Sequence, residues 1–208
     1  MTAFYIGSGV LPIAIHQGKA YLLLGREVNS TDSNGTWCSF GGGLEENESI
    51  TDNAIREFME ESMALIMSEG DIRLILTENR DNCLLARYQV DQGRNKPRYL
   101  EHLVLIDYDA DLPLLFERVY RQFNSCAQSL SSNICMINNT DTSTKCLPLF
   151  EKDRIKWFSL DYCIKLANKM IKSEEIGPCD LKLRYCFAET IAAASSVIYS
   201  SIKPPQIN

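Results

Sequence analysis

Three consecutive glycines, Gly41-Gly42-Gly43, follow a short apolar stretch, Trp37 to Phe40, and precede the clearest helical pattern in the sequence. Without a Cβ, glycine lets a backbone approach a neighbouring group closely. Beyond the glycines, Ser49, Thr51 and Asp52 are N-cap candidates, and the spacing predicts a helix to about Met67. On a helical wheel Ile55, Met59 and Ile66 share one face. Glu57, Glu60 and Glu61 share the opposite face at i, i+3, i+4 spacing. Such carboxylates repel one another by about a few tenths of a kcal/mol per pair in an isolated helix. A fold tolerates them when solvent separates them or when a cation sits between them. Carboxylate oxygens are hard ligands suited to Mg²⁺ or Mn²⁺. Taken alone, the E-x-x-E-E pattern also fits a plainly solvated acidic face.

The rest of the chain constrains the fold. Val10 to Ile15 and Ala20 to Leu24 read as a hairpin with Gly18 in its turn. Ile72 to Thr77, Cys83 to Val90, His102 to Tyr108 and Ile155 to Ser159 read as strands, and Leu112 to Gln122 and Leu160 to Ile171 as helices. Residues 124 to 146 are mostly Ser, Asn, Thr and Cys, which suggests an inserted loop over about 116–150. A last helix is expected over about 181–199. Strands without a steady βαβ alternation favour an α+β domain with a mixed sheet, one domain over 1–208.

With 45% apolar and 23% charged residues, the composition is globular and excludes global disorder. The net charge of −6 gives no global case for non-specific nucleic-acid binding. Arg94, Lys96 and Arg98 form the one modest basic patch. No apolar run approaches the roughly 18 residues of a membrane span, and Met1 to Gly9 lacks the pattern of a signal peptide. The eight cysteines are scattered without a C-x-x-C pair and read as reduced thiols, so a cytoplasmic location is expected.

Gly42, Glu48, Arg56-Glu57-Phe58 and Glu60-Glu61 fall at the spacing G-x5-E-x7-R-E-U-x-E-E. The run from Gly42 to Ala64 resembles the signature of the Nudix hydrolases. Gly25-Arg26-Glu27, Trp37 and Lys156 to Asp161 look like the family's flanking segments. Two positions depart from it: Phe40 stands where a proline commonly precedes the glycines, and Met63 replaces the final glycine of the box. The second bears on local backbone geometry more than on chemistry.

The resemblance implies a Nudix-like α/β/α sandwich and a metal-dependent hydrolase that cleaves the diphosphate linkage of a nucleoside diphosphate derivative. Glu57, Glu60 and Glu61 match its metal-binding glutamates, and Gly41 the residue whose carbonyl often adds a ligand to Mg²⁺ or Mn²⁺. Arg56 matches the arginine that orients the carboxylates, and Glu48 the acid that supports the loop–helix turn. Arg26 is placed to reach a phosphate. Glu57, Glu101 and Glu151 are candidates for the general base, with Glu151 favoured. A small nucleotide is the expected partner. A capped RNA substrate and a non-catalytic nucleotide-sensing domain are the alternatives, and the oligomeric state, a homodimer included, stays open.

Overall fold

A computed structural model describes residues 5–28, 34–91, 98–138, 150–174 and 181–202. Its centre is a mixed sheet. Strands β1 (Tyr5–His16) and β2 (Lys19–Glu27) form the expected hairpin, with Gln17 and Gly18 at positive φ in the turn. The path across the sheet runs β3 (Trp37–Cys38), β2, β1, β6 (Arg98–Leu105), β5 (Leu84–Asp91). Strand β4 (Phe40–Gly43) pairs with β1, and β7 (Lys152–Ser159) pairs with β2. The β1–β6 pair is parallel and the other pairs are antiparallel.

Successive side chains of a strand point to opposite faces, and here both faces are covered. Val10, Ala14, Leu23 and Val104 pack with Phe58 of α1 (Ile50–Glu61), Ile72 of α2 (Glu69–Glu78) and Phe116 of α3 (Leu112–Asn138). Leu11, Ile13, Leu22 and Leu103 pack with Cys163 of α4 (Leu160–Ile171) and Ile191 of α5 (Tyr185–Ile202). The result is the expected α/β/α sandwich around a mixed sheet. No helix among the described residues is long and apolar enough to cross a membrane.

Three expectations are corrected. Residues 72–77 belong to helix α2, not to a strand. The Ser68 side chain caps it by accepting from the Asp71 N–H, and Ile72, Ile75 and Leu76 form its buried stripe. A continuous apolar run fits either period, and the cap decides it. The segment expected to loop from about 116 is helical through Asn138. Helix α1 stops at Glu61, not near Met67. The Met63 N–H bonds the Glu60 carbonyl and the Ala64 N–H bonds the Met59 carbonyl, with φ of 53° and 54° at Met63 and Ala64. This is a Schellman ending, and its left-handed position is one that glycine fills without strain.

Candidate active site

Helix α1 begins where the Ser49 side chain accepts from the Asp52 N–H. Asn53, fully buried, fastens the helix to the glycine run. Its Oδ1 accepts from the Ser8 N–H at 2.7 Å and its Nδ2 donates to the Gly43 carbonyl at 2.7 Å. Gly42 lies directly against Glu57, since a Cβ there would fall 2.5 Å from Glu57 Oε1. The glycine is therefore a steric requirement of the carboxylate's position.

The three box glutamates do not share one solvated face. Glu57 and Glu61 are buried along with Asn53, Ala54, Ile55 and Phe58, and Glu60 is the exposed one. Helix α1 is thus buried over most of its circumference, and the acids divide between two settings.

In the outer setting Arg56 is the hub. Its Nε and Nη2 donate to Glu48 at 2.8 and 3.1 Å, and its Nη1 donates to Glu57 at 2.9 Å and Glu60 at 3.3 Å. Glu48 also accepts from the Glu45 N–H at 3.0 Å. The Arg56 bonds hold the Glu48 carboxyl below its ordinary value. Burial pushes the Glu57 carboxyl up despite Arg56, and the nearby charges of Glu151 and Glu60 add to the rise.

In the inner setting Lys152, fully buried, places its Nζ 2.8 Å from Glu27 Oε1 and 3.1 Å from Glu61 Oε1. The other Glu61 oxygen accepts from the Gly41 N–H at 2.7 Å. Burial works against the ammonium, but Cys38, Glu61 and Glu27 hold its pKa above the ordinary lysine value. Burial also opposes ionisation of Glu27, yet Lys152 and Cys38 keep its carboxyl below the usual value. Glu61 keeps the burial penalty and is pushed up to about 8. Glu27, Glu61 and the exposed Glu151 have carboxylate oxygens within 4.8 Å of one another.

A cavity of about 240 Å³ opens beside the glycine run, whose three residues help to line it. Ser39, Tyr99 and Glu101 line it from the sheet, and Arg184 and Phe187 from the C-terminal segment. Ser39 donates to Glu101 Oε2 at 2.9 Å, and Glu101 Oε1 has no hydrogen-bond partner among the described residues. Burial pushes the Glu101 carboxyl up to about 8.

The structure therefore brings Gly41, Arg56, Glu57, Glu60, Glu61 and Glu151 into one region. It does not bring Arg26 there. Arg26 donates through Nε to Asp153 at 2.8 Å and pairs with it again through Nη2. Arg94 and Lys96 lie outside the described residues. Sequence reasoning missed Lys152, Asn53 and Arg184. Asn53 carries a faint signal, as a polar residue beside the apolar positions 54 and 55. Lys152 carries none, because it sits in the charged run Glu151 to Arg154 that reads as surface.

The donor set fits a hard divalent cation. Its side chains offer carboxylate oxygens only, Glu57 is buried with its carboxyl pushed up despite Arg56, and the Gly42 cradle would be filled by any Cβ.

Residues 6–76 match the NUDIX domain family. Among solved structures, a Nudix hydrolase from M. smegmatis, RenU, is 15% identical over 96% of this chain and 90% of its own, with a TM-score of 0.44. A MutT protein from Methanosarcina mazei Go1 is 14% identical over 98% and 99%, at 0.44. A C. elegans Ap4A hydrolase is 14% identical over 91% and 96%, at 0.41. No curated protein matches. The matched stretch contains strands β1 (from Ile6) to β4 with the glycine run and all of helix α1.

Proposed function

We propose that the chain hydrolyses the diphosphate linkage of a nucleotide derivative with the help of Mg²⁺ or Mn²⁺. The observation that carries this reading is a shared wall: Gly42 touches the Glu57 carboxylate and also lines the cavity. A diphosphate laid along that wall would have the acidic group on one side and room for the nucleoside on the other.

Glu57 and Glu60 of α1, Glu151 just before β7 and the Gly41 carbonyl are the groups that would hold a divalent ion. Once bound there, the ion lowers the pKa of coordinated water and stabilises charge on the attacked phosphorus. Arg56 keeps Glu57 and Glu60 aimed, because its guanidinium bridges both. The glycine run allows phosphate oxygens to reach backbone N–H groups. Glu151, exposed and with its carboxylate close to those of Glu27 and Glu61, takes the proton of the attacking water. Glu101 is unsuited to that task near neutral pH, since its buried carboxyl keeps its own proton. It serves instead as a hydrogen-bond donor inside the cavity.

Turnover of a panel of ADP-sugar, dinucleoside polyphosphate and capped RNA, with Mg²⁺ or Mn²⁺, tests the reading. Glu57→Gln is expected to lower turnover at least ~100-fold with unchanged circular dichroism. Equal turnover in variant and wild type, or none on the whole panel, would refute it. Tight nucleotide binding without turnover would point to a sensing domain.

A further inference from the structure

We infer that Lys152 is a resident cation that permanently occupies the place between Glu27 and Glu61, so that this place takes no divalent ion. The inference rests on the hydrolase reading above and assigns one of its box glutamates, Glu61, to a lysine in place of a metal.

Three separate features build the position. The first is the register of β7 on β2. It slips between Arg26 and Glu27, so that Lys152 pairs with Glu27 while Arg154 pairs with Arg26. Such a bulge turns a side chain away from the face that strict alternation would give it. The second is Gly25. A Cβ on Gly25 would lie 2.0 Å from the Lys152 Cδ, so the lysine stem passes through space that only glycine leaves open. The third is the bed at the end of that stem. Glu27 and Glu61 each hold the Nζ within 3.1 Å, the Cys38 Sγ lies 3.3 Å away, and the Phe40 ring centroid is 5.8 Å distant. A phenylalanine in this place offers the ammonium a π face, which a proline would not. A lysine meeting these carboxylates by accident at the surface would need none of these devices.

The consequence is a count. Glu61 spends one oxygen on Lys152 and the other on the Gly41 N–H. Glu27 is likewise committed to Lys152. Divalent ions are left with Glu57, Glu60 and Glu151. Lys152 thereby acts as a positioning residue: it fixes Glu61, and through it the Gly41 backbone, without waiting for metal.

Electron paramagnetic resonance of Mn²⁺ titrated into the full chain counts bound ions directly. Wild type and Glu61→Gln are expected to bind the same number. Lys152→Met is expected to bind one more, and its melting temperature to rise more steeply with Mn²⁺ than that of the wild type. Loss of an ion in Glu61→Gln overturns the inference, whether or not Lys152→Met folds. An unchanged count in a folded Lys152→Met overturns it too. Either result leaves the hydrolase reading standing if the wild type turns over the panel. A wild type that binds no Mn²⁺ and turns over nothing overturns both.

Discussion

Glu60 and Glu61 are neighbours in sequence, yet they live in different electrostatic regimes. Glu60 is exposed and meets one arginine at 3.3 Å. Glu61 is buried, 3.1 Å from an ammonium that is itself fully buried. The hundred degrees that one residue turns on a helix separates an acid that water solvates from one that only a fixed partner can hold. Outer acids can exchange their counter-ion, and inner acids cannot. The division of labour follows: the outer group is suited to transient ions and substrate, the inner group to holding β2, β7 and α1 in place.

The largest effect that would test this contrast is on stability. Lys152→Ala strips the partner from two buried carboxylates and should cost about 3–5 kcal/mol, a large share of the total for an ordinary domain. Arg56→Ala, in the outer setting, should cost about 1 kcal/mol or less, because solvent takes over its partly exposed pairs, while turnover falls sharply. Urea unfolding of both variants, read beside turnover, checks the pair. Equal losses of stability would erase the distinction between inner and outer acids.

How much of this could be read from the sequence follows the same line. The hairpin turn at Gly18 and an N-cap among Ser49, Thr51 and Asp52 are local signals, and the structure has its turn at Gly18 and its cap at Ser49. The burial of Glu57 and Glu61 was not legible, because it depends on tertiary contacts: Gly42 of β4 lies against Glu57, and Lys152 of β7 reaches Glu61 from far along the chain. The inward turn of Lys152 was not legible either. Alternation along β7 groups Lys152 with Arg154, and only the slip at Arg26/Glu27 breaks that grouping. Helix α2 was misread because Leu74, Ile75 and Leu76 fill both periods at once, and helix α3 because its polar composition mimics a loop.

A middle-sized effect concerns Glu101, a further buried acid that faces no fixed cation among the described residues. Burial raises its carboxyl from 4.5 to about 8, so the folded protein keeps a proton that the unfolded chain gives up. Its contribution to stability is fully present below the unfolded value. It is lost as the pH climbs towards 8, at up to about 1.4 kcal/mol per pH unit. Glu101→Gln keeps the shape and the Ser39 contact but cannot ionise. The difference in unfolding free energy between pH 5 and pH 8, measured with a chelator present, should shrink by at least about 1 kcal/mol in the variant. Glu61 retains its own share of the slope. Identical pH profiles would place Glu101 with the solvated, outer acids.

The smallest effect sharpens where the helix that carries both settings ends. Met63 and Ala64 both sit at left-handed φ, where a Cβ costs roughly 1 kcal/mol. Met63 recovers part of that by packing against the core beside α1, whereas Ala64 is exposed and recovers nothing. Ala64→Gly should therefore stabilise by about 1 kcal/mol, and Met63→Gly by less, although Met63 is the position where the box pattern expects glycine. Thermal unfolding of the two variants decides the order. If Met63→Gly proves the more stabilising, the methionine contributes no packing, and the end of α1 is held by its Schellman hydrogen bonds alone.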